Sequence, residues 1–136
     1  IERIQKYRSQ IHLHKKDAID FIDHVQEKLP TDTFLYVDPP YFNKGSSLYT
    51  SFYEPDDHAL VARRILKLSS PWIITYDDVQ EIRGLYGDRR QYKLSLNYSL
   101  HVKRQTSEIL IASKGLRIPA EIRESQVHTP NYRSTA

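Results

Sequence analysis

Apolar and polar residues alternate with two different periods along the first third of the chain. Residues 11–14 alternate between aliphatic residues and histidines, which predicts a short strand. Helical spacing of apolar residues follows over 19–25, where Asp17 is placed to cap the helix and Pro30 to stop it. The continuous apolar run 33–37 then predicts a strand that is covered on both faces.

The middle of the chain predicts a long loop, a second helix and a second strand. Residues 42–55 mix glycine, serine and aromatic residues without periodicity, and loops of this length inside compact domains are often functional. Asp56 or Asp57 is placed to cap a helix whose apolar residues recur at three- and four-residue spacing. The apolar run 71–75 predicts another buried strand.

The last part of the chain predicts a helical turn, two strands and a tail. The turn ends at Gly87, and the strands are predicted by the alternation over 92–96 and by the apolar run 108–112. Residues 97–106, which connect these strands, fit an antiparallel hairpin. Periodicity then fades, so residues 116–136 are predicted to form an irregular tail.

Strands that alternate with helices predict an α/β fold with a mostly parallel sheet and a C-terminal antiparallel hairpin, formed as one domain by residues 1–115. Ligands in such sheets bind beyond the carboxyl ends of the strands. Three acidic residues, Asp17, Asp38 and Asp77, follow predicted strands at that edge. We therefore expect the functional site there.

Composition excludes several classes of function. The chain has no cysteine, so it forms no disulfide framework, zinc ribbon or thiol nucleophile. His12 and His14 share a strand face but lack the spacing of a metal site, so we expect no bound metal. No window is apolar enough to span a membrane and no signal peptide is evident, which predicts a soluble, cytoplasmic protein. A net charge of +3 identifies no ligand by itself.

The strongest functional signal is the tetrad Asp38-Pro39-Pro40-Tyr41, which directly follows the predicted strand 33–37. Two prolines fix two φ angles and remove two backbone donors, so the aspartate and the carbonyl groups of this turn point in set directions. A rigid turn of acceptors suits the recognition of a hydrogen-bond donor such as an amine. The tetrad therefore predicts chemistry on an amino group.

A strand followed by Asp-Pro-Pro-Tyr resembles the catalytic motif of enzymes that methylate amino groups with S-adenosylmethionine, and the flanking pattern is similar to Dam-type adenine-specific DNA methyltransferases. The match runs over about residues 10–115. It implies the catalytic part of a Rossmann-like methyltransferase fold, with residues 1–9 as the end of a DNA-recognition segment. Besides the tetrad, the resemblance rests on Tyr49, Phe52, Asp57-His58, Thr75-Tyr76-Asp77-Asp78, Leu85-Tyr86, Asn97-Tyr98-Ser99, Arg104 and Glu108-Ile109-Leu110-Ile111.

The resemblance implies methyl transfer from S-adenosylmethionine to the exocyclic amino group of an adenine that is flipped out of double-stranded DNA. The Asp38 carboxylate and the Pro39 carbonyl would accept hydrogen bonds from the two amine N–H groups, and the Tyr41 ring would stack on the base. Asp17 and Ala18, together with Asp38, would contact the cofactor. A helix cap explains Asp17 equally well.

Further residues are expected near the target base or the DNA. Tyr76 and Asp77 would line the base pocket, or would only begin a helix. Tyr49, Phe52 and Tyr53 would cover the flipped base or contact DNA, or would only anchor the loop that contains them. Lys44 would meet a DNA phosphate, or only water.

Two features of the family are missing from this sequence. A glycine-rich cofactor loop and a helical DNA-recognition segment precede the tetrad in the family, whereas Gly84 and Gly87 follow it here. The chain also lacks methionine. We therefore expect a fragment or processed chain that binds S-adenosylmethionine weakly, is inactive alone and self-associates through an open sheet edge. Two other interpretations stay open: an RNA base amino-methyltransferase, and a nucleic-acid-binding remnant without turnover.

Overall fold

Five helices and five strands make up the described part of the chain, which comprises residues 2–25, 28–30, 32–43, 53–95 and 107–130 of a computed structural model. The helices are α1 Glu2–Lys6, α2 Ala18–Val25, α3 Pro55–Ile65, α4 Gln80–Leu85 and α5 Ala120–Arg123. The strands are β1 Leu35–Val37, β2 Trp72–Asp77, β3 Arg90–Ser95, β4 Ser107–Ala112 and β5 Gln126–His128. A 3₁₀ turn, Arg8–Gln10, follows α1.

The five strands form one open sheet in the order β1-β2-β4-β3-β5. Only β1 and β2 are parallel, in a register that pairs Val37 with Ile74, and the other neighbouring strands of the described sheet are antiparallel. The α/β class and the hairpin of β3 and β4 are confirmed, but the prediction of a mostly parallel sheet is wrong. β2 and β3 do run in the same direction, but β4 lies between them and pairs antiparallel with both.

One face of the sheet packs against α2, α3 and α4. Side chains alternate between the two faces of each strand, so every second residue of β2 points into this core. Trp72 and Ile74 of β2 pack with Ile65 of α3 and Ile82 of α4, and none of these four is more than 1% exposed. Val37 of β1 packs against the same cluster. This core therefore holds α2 and α3 beside the end of β1, where the tetrad begins.

The opposite face of the sheet is covered by the C-terminal residues. Ile118 is 8% exposed and packs with Tyr92 of β3 and Ala112 of β4. β5 then pairs antiparallel with β3. The prediction of an irregular tail over 116–136 is therefore wrong for its described residues, which form α5 and β5. Their apolar side chains are too irregularly spaced to show a period, although they cover part of this sheet face.

The N-terminal residues and β1 are less covered than the pattern predicts. Residues 11–14 form no strand, because no described strand pairs with them, and Leu13 is 93% exposed. β1 lies at an edge of the described sheet, and its Tyr36 is 60% exposed because the second core does not extend over this strand. The expected cover on both faces of 33–37 is therefore missing on one face. Self-association through this edge stays a prediction.

Carboxylates stabilise the starts of α2 and α3. The Oδ1 atom of Asp17 accepts hydrogen bonds from the N–H groups of Ile19 and Asp20, at 2.9 and 3.1 Å, which confirms the predicted cap of α2. The predicted cap of α3 at Asp56 or Asp57 is wrong, because α3 begins after Glu54. Asp57 lies inside the first turn instead, where its carboxylate accepts a hydrogen bond of 2.9 Å from the N–H of Glu54.

Candidate active site

The tetrad Asp38-Pro39-Pro40-Tyr41 directly follows the carboxyl end of β1. β2 runs parallel beside β1, so the carboxyl ends of both strands meet at the same edge of the sheet. The chain then crosses the end of β2, where the N–H groups of Phe42 and Asn43 donate hydrogen bonds of 2.8 and 3.0 Å to the Asp77 carboxylate. Asp77 therefore fixes the backbone that leaves the tetrad.

One oxygen of the Asp38 carboxylate is fixed, although the side chain as a whole stays exposed. Thr75 Oγ1 donates a hydrogen bond of 2.8 Å to Asp38 Oδ1. Thr75 is buried, and its Oγ1 also lies 3.1 Å from the hydroxyl of Tyr36. Asp38 has no other polar partner among the described residues, so its Oδ2 is available to a ligand.

Tyr41 is held by a carboxylate from a different strand. Its hydroxyl donates a hydrogen bond to Oε1 of Glu108, which lies near the start of β4. Glu108 is the register partner of Asp77 in the antiparallel pairing of β2 with β4. Two neighbouring carboxylates thus fix the chain after the prolines, one through a phenol and the other through the backbone.

Tyr76 lies inside the core rather than at a pocket surface. It is fully buried, its hydroxyl lies 3.1 Å from His58 Nδ1, and burial raises the pKa of Tyr76. His58 is buried as well, and its ring centroid lies 5.1 Å from that of Phe42 and 5.4 Å from that of Tyr53. Burial lowers the pKa of His58, although carboxylates of β2 and α3 oppose part of this shift.

A cavity of about 420 Å³ lies between α2, β1 and the tetrad. Its volume is within the range of small-molecule sites, and its walls are mainly apolar, as in most such sites. Asp38 is among the residues that line the cavity. The residues that line the cavity are Ala18, Ile19, Phe21, Ile22, Leu29, Leu35, Tyr36, Val37, Asp38, Pro39, Pro40, Tyr53 and Val61.

Of the two neighbouring residues expected to contact a cofactor, Ala18 lines the cavity and Asp17 caps α2. Asp17 directly precedes Ala18 in the chain. Burial raises the pKa of Tyr53, another residue that lines the cavity, and the charge of Asp17 adds to this shift. Both capping bonds use Oδ1 of Asp17. The Oδ2 atom of this exposed side chain has no hydrogen-bond partner among the described residues.

Sequence reasoning missed the partners of the tetrad. It included Thr75 and Glu108 in the family pattern without assigning either a role. Strand register decides which side chains face Asp38 and Tyr41. The one available signal is that Thr75 ends the apolar run 71–75, which is expected to form a strand parallel to the one before the tetrad. Three residues predicted to contact base or DNA lie outside the described ranges, so their roles stay predictions: Lys44, Tyr49 and Phe52.

No family model matches this chain, and a search of curated proteins finds no match to its sequence. The likeness to Dam-type methyltransferases therefore rests on the residues quoted above. Within the described ranges, no three histidine or carboxylate side chains come together as metal ligands. None of the described helices is long and apolar enough to cross a membrane.

Proposed function

We propose that this chain carries the methyl-transfer site of an adenine-specific DNA methyltransferase with a partial Rossmann-like fold. One observation carries the proposal. Asp38 is fixed through one oxygen by Thr75, leaves the other oxygen available, and lines a cavity of about 420 Å³. An oriented acceptor beside a mainly apolar cavity can hold an amine next to a bound small molecule. Methylation of an amino group needs these two sites side by side.

Asp38 and Pro39 would act on the amino group. The exocyclic nitrogen of adenine is a poor nucleophile because its lone pair is delocalised into the ring. Oδ2 of Asp38 and the carbonyl of Pro39 would each accept one N–H, which favours a tetrahedral nitrogen whose lone pair points away from both acceptors. Such acceptors lower the barrier because they need no rearrangement during the reaction, and the fixed φ angles of the prolines keep them in place.

The cavity would take the adenosyl part of the cofactor that this chemistry requires. S-adenosylmethionine would supply an electrophilic methyl group: the amine nitrogen would bond to this methyl as the sulfur–methyl bond breaks, S-adenosylhomocysteine would leave, and the amine would release one N–H proton to water. Ala18, Ile19 and Val37 provide apolar walls against which an adenosyl group can pack. Oδ2 of Asp17, the residue before Ala18, would accept a hydrogen bond from the ligand without loss of the helix cap, because the cap uses only Oδ1.

Tyr41 would stack on the adenine after the base leaves the duplex, and so replace the stacking that the base loses. The hydrogen bond to Glu108 supports this role, because it limits rotation of the ring before the base arrives. Asp77 further restricts the segment after Tyr41, because its carboxylate accepts hydrogen bonds from the N–H groups of Phe42 and Asn43. Both carboxylates belong to interior strands of the described sheet, so the ring is attached to a well-supported part of the fold.

Transfer of labelled methyl groups from S-adenosylmethionine to a DNA duplex that contains adenine tests the proposal. We expect the full-length natural protein to label the duplex and Asp38→Ala in that protein to lose this activity with little change in DNA binding, because Asp38 acts on the amine and not on phosphates. Asp32→Ala, at an exposed position before β1, is the matched control and should keep full activity. Label in RNA instead of DNA would identify an RNA methyltransferase, and an Asp38→Ala rate within a few-fold of the natural rate would refute the assignment.

A further inference from the structure

Three side chains are connected through hydroxyl groups at the carboxyl ends of β1 and β2. Tyr36 and Asp38 are two residues apart in extended chain, so they point to the same face of the sheet. Thr75 of the neighbouring strand lies between them. Its Oγ1 is 3.1 Å from the hydroxyl of Tyr36 and 2.8 Å from Oδ1 of Asp38.

The directions of these two hydrogen bonds follow from the number of protons. A carboxylate only accepts, so the hydroxyl of Thr75 gives its one proton to Asp38. Oγ1 of Thr75 is therefore the acceptor in its other contact, and Tyr36 is the donor. The bonds run in one direction, from Tyr36 through Thr75 to Asp38.

We infer that Thr75, supported by Tyr36, is a positioning residue for Asp38 in the proposed methyl transfer. The inference rests on the proposed function, because it assigns to Thr75 the task of holding the acceptor of the amine. Asp38 is exposed and follows a strand of three residues at the edge of the described sheet, so packing alone does not fix its side chain. The bond from buried Thr75 occupies Oδ1 and leaves Oδ2 to the substrate.

Tyr36 contributes by fixing the proton of Thr75. Tyr36 is 60% exposed, yet its hydroxyl lies 3.1 Å from Oγ1 of Thr75. Without this donor, the hydroxyl of Thr75 is free to rotate its proton away from Asp38. Hydrogen bonds in a chain also polarise one another, which strengthens each bond. The carboxylate is thus held by two residues, although only one touches it.

Thr75→Val tests the inference, because it removes the hydroxyl at nearly constant shape. In the natural protein we expect kcat for DNA methylation to fall about tenfold or more and KM for duplex DNA to change by less than about twofold, since the loss affects the acceptor rather than DNA binding. Thr75→Ser keeps the hydroxyl and should restore most of kcat. Tyr36→Phe should lower kcat by a smaller factor, because the bond from Thr75 to Asp38 can still form.

Ser113→Ala is the matched control, since Ser113 holds the other end of the same strand through its hydroxyl. Its Oγ accepts a hydrogen bond of 3.1 Å from the N–H of Trp72, the first residue of β2. This variant should unfold at a lower temperature with unchanged kcat. An unchanged kcat in Thr75→Val would overturn the inference, and so would equal losses in Thr75→Val and Thr75→Ser.

Thermal unfolding separates this inference from the proposed function. If the natural protein methylates neither DNA nor RNA, the proposed function fails. The hydrogen bond from Thr75 to Asp38 can still be tested by the unfolding midpoints of Asp38→Ala, Thr75→Val and the double variant. Midpoint shifts that are not additive support a bond between the two side chains. Additive shifts overturn it.

Discussion

Asp77 and Glu108 face each other across the antiparallel pairing of β2 with β4. Like charges in directly opposed positions normally destabilise a sheet. Here Asp77 accepts the N–H groups of Phe42 and Asn43, and Glu108 accepts the hydroxyl of Tyr41. The segment that leaves the prolines therefore provides the donors that offset the repulsion, and the two carboxylates in turn hold this segment in place.

Asp77→Ala is expected to loosen the segment after the tetrad. It leaves two backbone N–H groups without their acceptor, so the free energy of unfolding should fall by about 1–3 kcal/mol, and methyl transfer should slow with it. Asp77→Asn keeps one acceptor oxygen and should lose less of both. Urea unfolding followed by the fluorescence of Trp72, the single tryptophan, measures the stability change. If the free energy of unfolding of Asp77→Ala equals that of the natural protein, these two hydrogen bonds do not contribute to stability.

Tyr41 offers a ring and a hydroxyl whose contributions can be separated. If the ring stacks on the base, Tyr41→Ala should lose far more methyl transfer than Tyr41→Trp or Tyr41→Phe. Because the Tyr41 hydroxyl also bonds to Glu108, Tyr41→Phe should be a few-fold slower than the natural protein, since its ring is no longer held by this hydrogen bond. The measurement is kcat on duplex DNA. A phenylalanine variant as slow as the alanine variant would make the hydroxyl, and not the ring face, the working group.

Substitutions of Glu108 provide the control for this prediction. Glu108→Gln keeps an acceptor oxygen and should stay near the natural rate, whereas Glu108→Leu should slow the reaction as much as Tyr41→Phe does. If both act through the same hydrogen bond, combining Glu108→Leu with Tyr41→Phe should add little to either single change. Independent losses in the double variant would mean that Glu108 acts on something else.

Features that depend on neighbouring residues could be predicted from the sequence, and those that depend on strand pairing could not. The cap at Asp17 and the position of the tetrad after an apolar run are local. The place of β4 between β2 and β3 depends on pairings between residues far apart in the chain, and periodicity carries no information about them. The same limit explains why Thr75 and Glu108 were not identified as partners of the tetrad, since register brings them there.

Ile118→Ala should show that the C-terminal segment belongs to the fold. Ile118 is 8% exposed and packs against Tyr92 and Ala112, so truncation should lower the free energy of unfolding by about 2–4 kcal/mol. Ile4→Ala is the matched control, because Ile4 is 66% exposed and its loss should change stability by no more than about 0.5 kcal/mol. Denaturant unfolding measures both. If Ile118→Ala changes the free energy of unfolding as little as Ile4→Ala does, the C-terminal segment does not cover the sheet.

His58 is expected to make the protein less stable in acid. Its ring is buried with Nδ1 3.1 Å from the hydroxyl of Tyr76, and burial lowers the pKa of His58 in the folded state below its ordinary value of 6.5. Between these two pKa values the unfolded chain binds a proton that the folded protein does not, which favours unfolding. The contribution of neutral His58 is therefore complete above about pH 6.5 and is lost as the pH falls below it.

Unfolding midpoints measured between about pH 5 and 8 should show this loss of stability toward acid. His58→Gln, which keeps a polar partner for Tyr76, should flatten the profile, while His24→Gln on the exposed side of α2 should not. An unchanged slope in His58→Gln would assign the acid sensitivity to other groups.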